Sequence, residues 1–255
     1  MKERWPNCPR TVLALWLVAG FLGCTKPPVI HGRVVDVFQK PIAGAEVSIP
    51  KTTFTAVSGS DGRYTIGYAP GQFELSVRKP AYASTMIPLS VTQAADVPAA
   101  DAVLYPIPPE PGIYYIGPDR LVPLTERKIQ QNFKTLENNV SILREYAFPF
   151  SSDPTPSISF GTEARFLDTL PTSPTLYRGD PEFYQVEYLT GTTNPMSPRL
   201  NNEVNTRTTE LGDEKLRLRT VKLEQSAVYY GWLAGPVEQT KNAYVFSVPS
   251  PAHAD

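Results

Sequence analysis

The sequence predicts a mainly β fold, on the strength of three observations. Its 255 residues include 27 prolines, about twice the usual frequency of roughly 5%, and proline disfavours long helices because it lacks an amide hydrogen. The chain is also rich in aromatic side chains that strands favour, with 13 Tyr and 11 Phe. Finally, apolar and polar residues alternate in several short segments, as at Phe73, Leu75 and Val77. Together these features indicate short strands joined by turns.

Residues 29–105 show this pattern most clearly and are predicted to form a seven-stranded β-sandwich. The Asp61-Gly62 pair suits a tight turn that needs a positive φ angle. Regularly spaced short strands separated by such turns are typical of sandwiches. The predicted strands are Val29–Val37, Ala45–Ile49, Phe54–Val57, Arg63–Tyr68, Gln72–Lys79, Thr85–Val91 and Val97–Tyr105.

Three spaced motifs in this segment resemble the carboxypeptidase regulatory-like domain. They are Gly-Arg-Val-Val-Asp at 32–36, Pro-Ile-Ala-Gly-Ala-Glu-Val at 41–47 and Asp-Gly-Arg-Tyr at 61–64, within a resemblance that covers about residues 29–92. The resemblance implies a transthyretin-like sandwich that serves as an accessory or binding module. We expect Val34, Val47 and Tyr64 in its core. The predicted structural positions are Gly32, Asp36, Pro41, Gly44, Asp61, Gly62 and Tyr64.

Residues 1–23 have the layout of an export signal. Lys2, Arg4 and Arg10 provide a basic start, and an uncharged apolar run follows at Val12–Leu22. As a helix, Val12–Gly23 would cover roughly 18 Å, which is short for a bilayer core of about 30 Å. This favours a cleaved signal over a membrane-spanning helix.

The end of the apolar run resembles the lipobox of bacterial lipoproteins. The match lies on Leu22, Gly23 and Cys24, whereas Phe21 departs from the more usual Leu. The resemblance implies cleavage between Gly23 and Cys24 and attachment of acyl chains such as palmitate to Cys24. An ordinary secretory signal with an incidental cysteine is the alternative.

The cysteine inventory fits a lipid anchor. Cys8 lies in the segment that would be removed, so the mature chain would hold one thiol and no disulfide partner. Residues 24–28 would be a short tether. Thr25 is not Asp, and under the sorting rule of lipoproteins this favours the outer membrane. We therefore predict a cell-envelope protein anchored to the membrane through lipid on Cys24.

The rest of the chain is predicted to be a proline-rich linker at 106–112 and a second β-rich region, β or α+β, at 113–255. One helix is predicted over 125–146, because Ile129, Phe133 and Leu136 begin a series with spacings of four and three. A pair of strands with a turn at Asn138-Asn139 is the alternative. Further strands are predicted at Ile113–Ile116, Leu121–Leu124, Phe183–Leu189, Lys215–Leu223, Ala227–Leu233 and Ala243–Val248, with a loop containing short strands at 149–182 and a long polar loop at Thr190–Asp213.

The sequence offers no catalytic, cofactor or metal site. The chain has two histidines, His31 and His253, whereas zinc sites need three or four His, Cys or carboxylate ligands. A Gly-x-Ser-x-Gly motif and phosphate-binding glycine loops are absent. Nucleic acid is not expected as a partner, since the net charge is −1 and no basic run of five residues occurs.

Two sets of residues support alternative functions. Asp180 with Glu182, or Asp213 with Glu214, could serve a periplasmic or surface hydrolase or a calcium site. An exposed aromatic platform would instead indicate a carbohydrate-binding module. Its candidate residues are Tyr114, Tyr115, Tyr184, Tyr188, Tyr229, Tyr230 and Trp232.

The leading prediction is a non-catalytic, membrane-anchored envelope lipoprotein. It would bind or help assemble a protein or glycan partner. The hydrolase and the carbohydrate-binding module are the alternatives.

Overall fold

Every regular element that the structure describes is a β-strand, which confirms the mainly β prediction. The structure is a computed structural model. No helix able to span a bilayer occurs within the described part of the chain. The described residues are 28–92, 95–128, 130–135, 142–147, 156–159, 161, 163–179, 203–224, 228–235 and 242–249.

Two sheets form the first unit. One has the order β4-β1-β9-β6 with β8 beside β1, and the other has the order β3-β2-β5-β7. Two differences from the predicted strands are an extra strand at Tyr82–Ala83 and a break that divides Val97–Tyr105. The strands are β1 (Val29–Asp36), β2 (Glu46–Ser48), β3 (Thr55–Val57), β4 (Arg63–Gly67), β5 (Gly71–Arg78), β6 (Tyr82–Ala83), β7 (Thr85–Val91), β8 (Val97–Pro98) and β9 (Ala102–Pro106).

The core of the first unit lies between these two sheets. Successive side chains of a strand point to opposite faces, so the alternating apolar residues of both sheets meet in one layer. Val34, Val47 and Tyr64 are all buried there, which confirms their predicted place in the core. The buried cluster comprises Ile30, Val34, Ile42, Ala45, Val47, Ile49, Tyr64, Ile66, Tyr68, Leu75, Val77, Val91, Ala102 and Leu104.

A second β unit follows in the chain. Its sheets have the orders β11-β10-β15-β18-β17 and β12-β20-β19-β16, and a ribbon of β13 and β14 accompanies them. A second core, which includes Phe166, Trp232 and Phe246, draws on both sheets. The strands are β10 (Ile113–Ile116), β11 (Leu121–Pro123), β12 (Thr125–Lys128), β13 (Gln130–Thr135), β14 (Ile142–Ala147), β15 (Glu163–Asp168), β16 (Thr175–Gly179), β17 (Arg207–Leu211), β18 (Leu216–Lys222), β19 (Val228–Leu233) and β20 (Asn242–Val248).

The predicted helix over 125–146 is wrong. Thr125–Lys128 pairs with β20, and Gln130–Thr135 pairs with Ile142–Ala147 in an antiparallel ribbon. Other apolar residues of this segment, Val140, Ile142 and Tyr146, fit strand alternation. Pairing of the first strand with β20, and of the next two with each other, decides between helix and strands. The proposed turn at Asn138-Asn139 lies outside the described residues.

The predicted polar loop at Thr190–Asp213 is also wrong in part, because Arg207–Leu211 is a strand. It pairs with β18 along its whole length and forms the edge of its sheet. Four of its five residues are exposed, so it lacks the apolar alternation that would have indicated a strand. The predicted strand Phe183–Leu189 lies outside the described residues.

A third apolar cluster joins the two units. Along β9 the side chains of Ala102 and Leu104 enter the first core, whereas Val103 and Tyr105 enter this third cluster. The same alternation divides β10 between the second core and this cluster. β9 of the first unit and β10 of the second unit are therefore each covered by apolar clusters on both faces. The buried members are Val37, Ala83, Tyr114, Ile116, Leu167 and Leu216.

A buried ion cluster lies at one end of the second core. Asp168 is fully buried, and its Oδ2 accepts hydrogen bonds of 2.9 Å from Nε of both Arg217 and Arg219. The Arg219 guanidinium also lies 5.5 Å from the centre of the Trp232 ring. Burial of charge is tolerated only when it is paired in this way.

Candidate binding cleft

A cleft of about 450 Å³ lies where the two units meet, and its size falls in the range of small-ligand pockets. The first unit supplies most of the lining, and the turn between β17 and β18 supplies the rest. The lining residues are Gly44, Glu46, Arg78, Lys79, Pro80, Tyr82, Ser84, Asp213 and Glu214.

Cross-strand pairing and a turn build the side of the cleft that belongs to the first unit. Glu46 on β2 lies directly opposite Arg78 on β5, so side chains of opposite charge share one face of the sheet. Gly44 has a φ of +68° in the preceding turn, and its carbonyl accepts a 3.3 Å hydrogen bond from Nζ of Lys79. The ammonium group is thereby held at the edge of the cleft.

The β17–β18 turn builds the opposite side and lies directly against the first unit. Gly212 has a φ of +57°, and a Cβ there would lie 2.8 Å from Oγ and 2.9 Å from the backbone nitrogen of Ser84. Only glycine allows this approach. It brings the adjoining carboxylates of Asp213 and Glu214 to the cleft.

The charges of the cleft give it a net negative character. Three carboxylates, from Glu46, Asp213 and Glu214, face two cations, from Arg78 and Lys79. All three carboxylate residues are exposed. This arrangement can accept hydrogen bonds from a ligand and attract a cationic group.

The sequence predicts two of the nine residues that line this cleft. Asp213 and Glu214 were candidates as an acidic pair, whereas Glu46, Arg78 and Tyr82 were not considered. No local pattern marks those three residues, because strand pairing and the contact between the units bring them together. The other proposed acidic pair, Asp180 and Glu182, lies outside the described residues, as do Gly23, Cys24 and His253.

The predicted structural positions cluster around the start and turns of the first unit. Oδ1 of Asp36 accepts hydrogen bonds from the backbone amides of Phe38 and Lys40, at 2.8 and 2.9 Å, and so closes the turn after β1. Pro41 then forms an isolated bridge with Val35. The carbonyl of Gly62 accepts a 2.8 Å bond from the amide of Val34. These contacts hold two turns against β1.

Gly32 and Tyr64 form a matched pair across β1 and β4. They lie directly opposite each other, and a Cβ at Gly32 would overlap the Tyr64 ring. The missing side chain of Gly32 leaves the space that the ring fills. Next to this pair, His31 is exposed, and its Nδ1 lies 3.0 Å from Oγ1 of Thr65. No group of three or more potential metal ligands occurs in the described ranges.

Removing the Tyr64 hydroxyl should leave the fold intact or stabilise it. The hydroxyl oxygen is buried without a hydrogen-bond partner among the described residues, and burial raises the pKa of Tyr64. We expect Tyr64→Phe to change the free energy of unfolding by between zero and about +1 kcal/mol, as measured by urea titration.

Tyr68→Phe provides the matched control. The Tyr68 hydroxyl donates to the carbonyl of Ala95 at 2.7 Å and accepts from its amide at 3.2 Å. Its loss should cost about 1–3 kcal/mol. An equal loss of unfolding free energy for Tyr64→Phe and Tyr68→Phe would contradict the conclusion that the Tyr64 hydroxyl has no hydrogen-bond partner among the described residues.

The structure does not support the proposed aromatic platform. Tyr114, Tyr230 and Trp232 are buried, and Tyr115 packs against the second core. Aromatic side chains fill cores as readily as they line binding sites, and these four residues pack into cores. Tyr184, Tyr188 and the side chain of Tyr229 lie outside the described residues.

The geometry of the first unit agrees with a family match. Residues 29–105 match the model of the carboxypeptidase regulatory-like domain. The first unit is therefore similar to a domain of this family. The match confirms the resemblance seen in the sequence and extends it through β9.

Similarity to solved structures is low. Two cohesin–X-dockerin complexes of Acetivibrio cellulolyticus match at 23% identity and a TM-score of 0.28, over 31% of this chain and 58% of theirs. The chain thus spans less than two thirds of their length. A DUF3823 family protein of Parabacteroides merdae matches at 10% identity and a TM-score of 0.22, over 88% of this chain and 100% of that one. At such TM-scores the matches carry no functional argument. A search of curated proteins gave no match.

Proposed function

We propose that this protein is a lipid-anchored lipoprotein of the cell envelope that binds or helps assemble a protein or glycan partner without catalysing a reaction. The carboxypeptidase regulatory-like domain would lie next to the membrane, since residues 24–28 leave only a short tether. The second unit would complete the binding site.

The cleft between the units is the observation that carries the binding role. It takes residues from both units, and the third apolar cluster fixes their relative positions. A site held on packed strands keeps its shape before the partner arrives, which lowers the entropic cost of binding. The charged side chains of the lining suit a charged or polar group of the partner.

The anchoring role is supported by the first 24 residues. The basic start, the apolar run and the Leu22-Gly23-Cys24 sequence match what lipoprotein processing requires. Acyl chains contribute about 0.8 kcal/mol for each buried CH₂ group, so two or more chains would hold the protein stably at a membrane.

Metabolic labelling with a clickable fatty-acid analogue tests the anchor. We expect the wild type and Cys8→Ala to carry the label, because Cys8 lies in the removed segment. Cys24→Ala should lose the label and appear in the soluble fraction. Equal labelling of Cys24→Ala and wild type would overturn the anchor.

Crosslinking in intact cells tests the binding role. A C-terminal tag allows capture from detergent-solubilised envelope without disturbing the N-terminus. We expect the same partner protein or glycan in replicate captures. A clean capture of the tagged protein with no reproducible partner would overturn the binding role.

A further inference from the structure

The outer face of the sheet β3-β2-β5-β7 is an open surface that begins at the cleft. Residues directly opposite each other in an antiparallel pair share a face. The pairs Glu46–Val57, Glu46–Arg78 and Ser76–Met86 therefore place these side chains on the face turned away from the first core. We call this surface the docking face, and define it by Val57, Glu46, Ser48, Arg78, Glu74, Met86 and Pro88.

The docking face holds the two exposed large apolar side chains among the described residues. Val57 is 66% exposed and Met86 is 48% exposed. Between them lie Ser48, which is half-buried, and Ser76, which is buried beneath its neighbours. The two exposed apolar side chains can contact apolar side chains on the surface of another protein, and Glu46 and Arg78 supply charged groups beside them.

The docking face and the cleft are continuous, because Glu46 and Arg78 belong to both. At the other end of the face is an open groove of about 430 Å³ between β5 and β7, which includes Glu74 and Pro88. Pro88 has no amide hydrogen, so the edge strand β7 is poorly suited to pairing with an added strand. The face, rather than the strand edge, is thus the surface available for contact.

We infer that the docking face and cleft bind a protein partner, with a lysine or arginine side chain of the partner entering the cleft. Asp213 and Glu214 would receive the cationic group, and apolar side chains of the partner would cover Met86 and Val57. The net negative charge of the cleft selects a cation, and the exposed apolar residues favour a protein over a glycan. This inference rests on the proposed binding function and specifies its partner.

The size of the surface predicts a weak, reversible complex. The four steps from Glu74 to Arg78 span about 13 Å, and four strands span about 15 Å, so the face covers on the order of 200 Å². A standard interface buries about 800 Å² on each partner. Measurable affinity would therefore require that the cationic side chain of the partner enters the cleft. Added salt should weaken this binding.

A titration followed by NMR tests the inference with defined probes. The probes are the acetylated, amidated peptides Ala-Leu-Lys-Leu-Ala and Ala-Leu-Arg-Leu-Ala, the same peptide with a central glutamate, and a neutral hexasaccharide. We expect the two cationic peptides to shift amide signals of cleft and docking-face residues. The glutamate peptide and the sugar should leave these signals unchanged.

Carboxylate variants identify the charge that is responsible. The double variant Asp213→Asn/Glu214→Gln should weaken binding of the cationic peptides about three- to tenfold, because each exposed ion pair contributes modestly. Glu224→Gln is the matched control, since Glu224 is an exposed carboxylate paired with Lys222 outside the cleft. It should leave the affinity unchanged. Met86→Ser should weaken binding through loss of the apolar contact.

Three results would overturn the inference: no shift with either cationic peptide, equal binding of the glutamate peptide, or binding of the hexasaccharide alone. The crosslinking experiment distinguishes failure of this inference about the cleft from failure of the proposed binding function. If the double variant still captured the wild-type partner, the binding function would stand and the cleft would lose its role.

Discussion

Replacing Asp168 with alanine should destabilise the protein by about 3–5 kcal/mol, since the change leaves the buried Arg219 and the largely buried Arg217 without their shared counter-charge. Arg217 and Arg219 both donate to Oδ2 of Asp168, and the Arg219 side chain is only 3% exposed. The Leu170 amide, 2.8 Å from Oδ1, would also lose its acceptor. Urea unfolding measured by Trp232 fluorescence provides the readout, because Trp232 contacts Arg219 and is the one tryptophan after residue 24.

Glu163→Ala is the matched control for this prediction. Its carboxylate lies 3.3 Å from Arg207, but both side chains are more than half exposed. Pairs of this kind contribute between zero and about 1 kcal/mol. Similar losses for the two substitutions would show that burial does not govern the Asp168 cluster. High salt should reduce the small effect at Glu163 and leave the large effect at Asp168 nearly unchanged.

Gly62→Ala should cost about 2–5 kcal/mol and weaken the first sandwich. Gly62 has a φ of +78°, a conformation that costs a residue with a Cβ about 1–2 kcal/mol. The new Cβ would also overlap the carbonyl oxygen of Val34 and lie 3.2 Å from Cβ of Pro41. Relieving this overlap requires a backbone shift at β1, which adds about 1–3 kcal/mol.

Gly161→Ala separates the cost of the positive φ angle from the cost of the steric overlap at Gly62. Gly161 has a similar φ of +76°, but nothing lies within 4 Å of a Cβ placed there. We expect it to show the conformational cost alone, about 1 kcal/mol. Chemical denaturation of both variants provides the comparison. If Gly62→Ala cost no more than Gly161→Ala, close packing against Val34 would not explain the need for glycine at position 62.

Much of the first unit could be predicted because its signals are local. Turn formation at Asp61-Gly62 depends on the φ angle of one residue, and the burial of Val34 and Val47 follows from alternation within single strands. These turn and alternation patterns do not depend on which element covers the buried face of the sheet. The carboxypeptidase regulatory-like motifs add the same information in a more specific form.

The second unit was harder to predict because its strands depend on their neighbours. Residues 125–146 carry apolar spacings that favour a helix and also allow a strand pair, and Arg207–Leu211 carries almost no apolar signal. Pairing with β20 and β18 supplies the missing hydrogen bonds in each case. The sequence also cannot tell whether an aromatic residue such as Trp232 is buried, since the same side chain suits a core or an exposed binding platform.

By itself, then, the sequence determined the β class and the turns and core of the first sandwich. Only the tertiary structure decided that Glu46, Arg78 and Asp213 share a cleft, and that Asp168 meets Arg217 and Arg219 in the interior. The physical reason is distance along the chain. Local preferences fix the conformation of a few neighbouring residues, whereas a site built from two units depends on how their buried faces pack together.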